Sequence, residues 1–179
     1  RWIRRGLPPN VVLLVAPTVH HVAQGVVLLP APLTARQMTS DPTAWMDQAA
    51  SADGHLRIGV AHGSARGFGS LGEAAVPIEV GRRHSARLDY LALGDWHGTK
   101  EIAAGVWYSG TPEPDSFADN EPGHVLVVTI DGPGAAPRVQ RVGSAHYRWI
   151  ERRVVFPRSL DLQAVEREIA GLGADLGFE

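Results

Sequence analysis

No cysteine occurs among the 179 residues. That removes disulfides and thiolate metal sites, so any metal centre must be built from imidazole and oxygen donors, a set suited to manganese, iron, zinc or magnesium. It also withdraws the usual clue to redox compartment. No apolar run reaches the ~20 residues that a bilayer-spanning helix needs. Charge of neither sign dominates: 17 Lys and Arg stand against 19 Asp and Glu. A global field that would recruit nucleic acid or an anionic membrane is excluded, and such a partner would need a local patch. An initiating methionine is lacking too. The chain opens on Arg1, and RWIRRGLPP has the form of a helix end: arginines in the last turn, Gly6 as the stop, Pro8-Pro9 forbidding continuation. The expectation is a fragment whose upstream part is missing.

What is present suits one domain of mixed α/β type with strands in the majority. Asn10–Val15 and Gly25–Leu29 are short, β-branched runs bounded by Pro or Gly, and predict buried strands. Asp41-Pro42 predicts a helix start, with Trp45, Met46, Ala49 and Ala50 on one apolar face up to Gly54. Leu56–His62 is a further strand. The Gly-rich stretch from Gly63 to Ser85 predicts a long, mobile loop, and strands follow at Leu88–Gly94 and Gly105–Gly110. His124–Ile130 and Arg138–Val142, joined through Asp131-Gly132-Pro133-Gly134, predict an antiparallel hairpin. Tyr147–Phe156 predicts a strand. Leu162, Val165, Ile169 and Leu172 predict a helix capped by Ser159 or Asp161.

Two places repeat one design, an apolar strand that ends in a polar ligand type beside glycine. RIGVAHG delivers His62, and LALGDWHG delivers Asp95 and His97. Side chains at strand ends converge without disturbing a core, and residues two apart in extended chain point to one side. A plainer reading stands beside this one: His62 as a hydrogen-bonded structural residue, Asp95 as a turn cap, His97 stacked on Trp96. Arg82, Arg83 and Arg87 form a basic cluster that either holds a phosphate backbone or is a solvated face. His20-His21 predicts a half-exposed strand or turn. Asp53-Gly54-His55 has the look of a metal motif but precedes its strand, so it predicts only a turn.

The middle of the chain resembles the second half of a calcineurin-like metallophosphoesterase, nearest to SbcD-type DNA-repair exonucleases. The residues that carry this are His62 in GVAHG, the stretch Asp89-Tyr90-Leu91-Ala92-Leu93-Gly94-Asp95-Trp96-His97, and Tyr108-Ser109-Gly110-Thr111-Pro112-Glu113-Pro114, in that order. The resemblance implies a two-sheet α/β sandwich with outer helices, of which residues 1–156 would be the C-terminal part and 157–179 a helical extension. It also implies a cytoplasmic hydrolase with two divalent cations, manganese first and magnesium, iron or zinc as alternatives. His62 and Asp95 would bind one cation and His97 the other. The substrate would be a phosphoester, with DNA as the class suggested.

The chain departs from the family at Asp95, where the family pattern has histidine; a carboxylate still serves a hard cation. Of the family's other metal motifs, Asp53-Gly54-His55 fits the Asp-x-His pattern only by chance, ahead of its strand, and the Gly-Asp-x-x-Asp and Gly-Asn-His patterns with the leaving-group histidine have no match, so the expected ligand set is incomplete. The missing upstream part of the same protein is the partner expected to supply them, and this chain alone is expected to be inactive. The rival expectation is a non-catalytic relative that scaffolds a partner.

Overall fold

The computed structural model describes residues 7–68, 76–117, 120–151 and 162–175. The chain divides into two compact units at Trp149/Ile150. Within the first, β1 (His20–Ala23), β2 (Val26–Ala31), β3 (Leu56–His62), β6 (Tyr90–Gly94), β7 (Lys100–Ala103) and β8 (Val106–Tyr108) form a six-stranded sheet in the order β1-β2-β3-β6-β8-β7. The four central strands are parallel, and the two edges are antiparallel to their neighbours. Two small sheets accompany it: β4 (Ser64–Ala65) with β5 (Pro77–Ile78), and the hairpin of β9 (His124–Thr129) with β10 (Arg138–Gly143). A four-residue helix α1 (Arg82–Ser85) precedes β6, and the second unit contains α2 (Leu162–Asp175). The architecture is thus mixed α/β, as the sequence predicts.

The main core lies on one side of the large sheet. Val27, Leu29, Ala61, Leu91, Leu93, Val106 and Tyr108 alternate onto that side and meet Met46, Ile78, Ala86 and Leu88 from the connections. The near-continuous apolar character of β2 and β6 fits strands flanked on both edges in a parallel sheet. On the opposite side the hairpin gives partial cover. The Arg141 guanidinium lies over the Trp107 ring, and the Gly134 N–H donates to Asp89 Oδ1 at 2.5 Å. Val60 of β3 remains 38% exposed.

Three local expectations give way. Asn10–Val15 forms no strand; it is open chain with Val12 73% exposed. A β-branched run becomes a strand only beside a pairing partner, and no described strand pairs with it. The helix expected after Asp41-Pro42 is a single 3-10 turn, Ala44–Gln48. There the Met46 carbonyl is taken by the Ala49 N–H at 3.3 Å and the Arg57 guanidinium at 3.4 Å, which ends the coil early. Residues 147–151 form no strand, while 152–156, the helix-end reading of residues 1–6 and the caps Ser159 and Asp161 lie outside the described residues. The Gly-rich stretch is more ordered than expected on both flanks: Phe68 stacks on Tyr108 with ring centroids 5.8 Å apart. Residues 69–75 lie outside the described residues.

Arg82 ties the crossover segments together. It is buried, and its guanidinium meets Asp41 Oδ2 at 3.0 Å, Thr43 Oγ1 at 3.1 Å and the Asp47 carboxylate. Burial works to raise the Asp41 carboxyl, but hydrogen bonds from Thr43, the Glu79 N–H and Arg82 outweigh it and hold Asp41 below the usual aspartate range. Removing one member of a buried ion pair strands the other, at a cost of about 3–5 kcal/mol. We expect Arg82→Ala to lose stability of that order in urea denaturation, and Arg87→Ala, at an exposed position, about 0.5 kcal/mol or less. Because Asp41 is depressed, its contribution is present above the ordinary aspartate pKa and fades as pH falls through the lower folded value. The acid-side decline in stability should therefore be shallower in Arg82→Ala than in the wild type.

Candidate functional site

β3 and β6 end together at one edge of the sheet, with His62 registered opposite Gly94. Alternation turns Gly59 and Ala61 to the core, and Val60 and His62 to the open side. A Cβ at position 94 would stand 3.0 Å from His62 Nδ1, so glycine there lets the imidazole lie across the end of β6. Asp95 follows with φ +113°, a conformation that side-chain-bearing residues rarely adopt and that costs about 1–3 kcal/mol. The bend sends its carboxylate back towards β3. Asp95 Oδ1 lies 3.5 Å from His62 Nε2, and Oδ2 accepts a hydrogen bond from Ser64 Oγ at 2.8 Å.

His97 takes another direction. Its Nδ1 lies 2.5 Å from Asp115 Oδ2. Two residues share a side only while the chain is extended, and the bend at Asp95 ends that alternation. Among the described residues no group of three or more His, Asp or Glu side chains is close enough to share one ion. The structure therefore joins His62 with Asp95 and sets His97 with Asp115. Trp96 packs edge-on against Phe68, with centroids 5.1 Å apart.

The loop between β3 and β4 is fixed from beneath by Tyr108. This buried phenol donates to the Gly63 carbonyl at 2.6 Å and accepts from the Ala65 N–H at 2.7 Å. Burial pushes its pKa up, with the Asp95 charge adding to the same direction, so the hydroxyl keeps its proton. Tyr108 thus places Ser64, which in turn places Asp95.

The three arginines lie elsewhere. Arg82 is withdrawn into the ion-paired cluster and offers nothing to a substrate. Arg83, whose Nε donates to the Asp89 carbonyl at 3.3 Å, and Arg87 line a cavity of about 770 Å³ with Arg57, Asp53, His55 and Gly134. That cavity opens at the amino-terminal ends of β3 and β6. The length of β3, ~20 Å at ~3.3 Å per residue, separates it from His62. His20 and His21 sit in edge strand β1, and Asp53-Gly54 is a turn whose His55 meets the His21 ring edge-on. Sequence reasoning missed Asp115, Tyr108 and Ser64 as parts of the site, because their partners lie 18 to 45 residues away.

No protein-family model and no curated protein matches this sequence. What the arrangement can do must come from its own donors. His62 Nε2 and Asp95 Oδ1 are a nitrogen and an oxygen donor, both on half-exposed side chains. Two donors each ~2.1 Å from one cation stand about 3.0–3.4 Å apart for octahedral or tetrahedral angles. The observed 3.5 Å fits that spacing with a small adjustment, and it is long for a direct hydrogen bond. With Oδ2 engaged by Ser64, Oδ1 is the oxygen left to bind. The donor set therefore fits a divalent cation, with coordination sites to be filled by other groups.

Tyr108→Phe removes both hydrogen bonds while leaving the ring and its stacking on Phe68. We expect a loss of roughly 1–3 kcal/mol in chemical denaturation, since a buried carbonyl and N–H lose their partner. Amide shifts at Ser64 and Asp95 should move while those of β9 and β10 stay in place.

Proposed function

We propose that this chain supplies half of a binuclear metal site to a calcineurin-like metallophosphoesterase, and that the whole protein hydrolyses phosphoesters, with a DNA phosphodiester as the favoured class. The observation that carries this reading is the His62–Asp95 pair, a strained carboxylate held beside an imidazole at the carboxyl ends of adjoining parallel strands. Loops at that edge are where α/β sheets bind ligands. His62 and Asp95 would hold one cation and His97 its neighbour, with manganese preferred and magnesium, iron or zinc as alternatives. Such a pair of cations, when bound, polarises the phosphoryl group and lowers the pKa of a bound water. The chain's own part is to orient donors: Ser64 frees Asp95 Oδ1, and Gly94 leaves room for the His62 ring.

The remaining donors and the leaving-group histidine would come from an upstream part of the same protein, packed as the other half of a two-sheet sandwich. The half-open side of the sheet supports this. Parallel sheets are stable with both faces covered, and here His62 and Val60 face the side that the hairpin covers only in part. A cytoplasmic location belongs to the same reading. A second reading, a non-catalytic scaffold, is favoured by one observation: His97 turns to Asp115 instead of joining the other two.

Manganese titration of the chain by calorimetry tests the site directly. We expect Asp95→Ala and His62→Ala each to weaken binding at least ~10-fold, and Asp95→His to shift preference from manganese towards zinc. In the full-length protein His97→Ala should cut manganese-dependent phosphodiester hydrolysis ~100-fold or more; unchanged activity would favour the scaffold. The 179 residues alone should not hydrolyse. If DNA is the substrate, binding by the full-length protein should weaken steeply with salt.

A further inference from the structure

We infer that Asp115 is a positioning residue for His97: its carboxylate fixes the imidazole tautomer and ring direction so that Nε2 is the nitrogen presented to a ligand. The ligand's being a metal ion rests on the function proposed above; the positioning itself does not. Asp115 Oδ2 lies 2.5 Å from His97 Nδ1. A carboxylate only accepts, so Nδ1 must carry the hydrogen of the contact, and in the neutral ring the lone pair is left on Nε2. Histidines that bind metals are held in this manner, with the second ring nitrogen donating to a carboxylate or carbonyl.

A half-exposed ion pair is ordinarily worth little, because two mobile side chains must be ordered to make it. Here the ordering is done by other contacts. The His97 carbonyl accepts from the Thr111 N–H at 2.9 Å and Thr111 Oγ1 at 3.2 Å. Gly110, at φ +74°, lies so close that a Cβ there would stand 2.7–2.9 Å from Gly98 C, His97 O and Thr99 N. The backbone of His97 is therefore pressed against the start of the loop that carries Asp115.

The loop is strapped from outside as well. Ser144 Oγ donates to the Pro112 carbonyl at 2.7 Å, and the N–H groups of His146 and Tyr147 donate to the Glu113 carboxylate at 2.7 and 3.1 Å. Those two bonds hold the Glu113 carboxyl below its usual range, so it is ionised at neutral pH. Trp149 Nε1 donates to the Pro114 carbonyl at 2.8 Å, and its ring meets Phe117 edge-on. Asp115 thus sits between two anchored neighbours, Pro114 and Phe117. Five contacts to four residues of the loop from Pro112 to Phe117, which carries one outward carboxylate, are more than an incidental surface pair needs.

The test is tautomer-resolved NMR of the ¹⁵N-labelled chain at pH ~8, where an exposed imidazole is neutral. In the wild type we expect the Nδ1–H form of His97 to exceed the Nε2–H form ~10-fold, against the Nε2–H preference of free histidine. Asp115→Ala should reverse that ratio while amide shifts outside the loop and its contacts stay put. Asp115→Asn, near-isosteric and able to offer either an acceptor or a donor, should give a mixture. A wild-type His97 that favours Nε2–H, or a ratio unmoved by both variants, overturns the inference. Manganese titration on the same samples separates it from the proposed function. Loss of ~10–100-fold in affinity at the His97 site in Asp115→Ala is the expected result. A reversed tautomer with unchanged manganese binding would keep the positioning and overturn the metal role of His97.

Discussion

The hydroxyl of Tyr108 is the point on which the functional edge of the sheet depends. It comes up from the core at the end of β8 and closes both sides of one turn, donating to Gly63 and accepting from Ala65. Buried backbone groups need partners; the Gly63 and Ser64 N–H groups find theirs in the Gly94 and Val76 carbonyls, and the Gly63 carbonyl and Ala65 N–H find theirs in Tyr108. Satisfying both from a single side chain fixes the turn in two directions. Ser64 lies between the two bonded residues, so its hydroxyl is aimed by the same contact. From there the order passes to Asp95 and across to His62. The strain stored at Asp95 persists because this chain of contacts, and the pairing of Gly94 with His62, leave the residue no relaxed alternative.

Carboxylates do similar work throughout the first unit. Asp89 accepts from the Arg57 and Gly134 N–H groups and so joins the start of β3 to the hairpin turn. Asp41 joins the 3-10 turn to α1 and to Glu79. Glu113 joins its loop to the segment that leaves β10. Strands here are short and connections long, so little backbone is satisfied by regular ladders. Charged acceptors, which make roughly twice as strong a hydrogen bond as neutral ones, take up the N–H groups that remain. Asp95 and Asp115 differ from these three in facing imidazoles at exposed positions. The difference separates acids that build the fold from acids available to a ligand.

Where local sequence decides the outcome, it was readable. β3 and β6 are apolar runs that stop at a polar residue beside glycine, and both end where that pattern places them. The hairpin likewise follows its turn residues. Failure came where a distant partner decides. Asn10–Val15 has strand composition but no strand beside it. Arg82 looks like its neighbours Arg83 and Arg87, yet it alone meets Asp41 and Asp47, some 35 to 41 residues earlier. The spacing of Asp95 and His97 promised a shared side. A left-handed bend at a non-glycine residue, which no propensity foretells, turned one to His62 and left the other to Asp115. That His62 and Asp95 would meet came from the family resemblance and not from their spacing; Asp115 was not legible, because nothing near it in sequence marks it as a partner of His97.

The two ends of the parallel strands offer different chemistry, and the difference bears on where a ligand acts. At the amino-terminal ends the cavity is roomy and carries Arg57, Arg83 and Arg87, and two of its three acids are engaged: Asp89 on backbone N–H groups, Asp47 on Arg82 and Ser85. At the carboxyl ends the His62 and Asp95 side chains stand half-exposed with Asp95 Oδ1 and His62 Nε2 turned to each other. His62 also faces the side of the sheet that the hairpin only partly covers. On the reading proposed above, further donors to a cation at His62 and Asp95 would arrive across that same side. On the reading proposed here, covering the apolar face and completing the metal site are one event. Such coupling would keep a half-built site from acting before the protein is assembled.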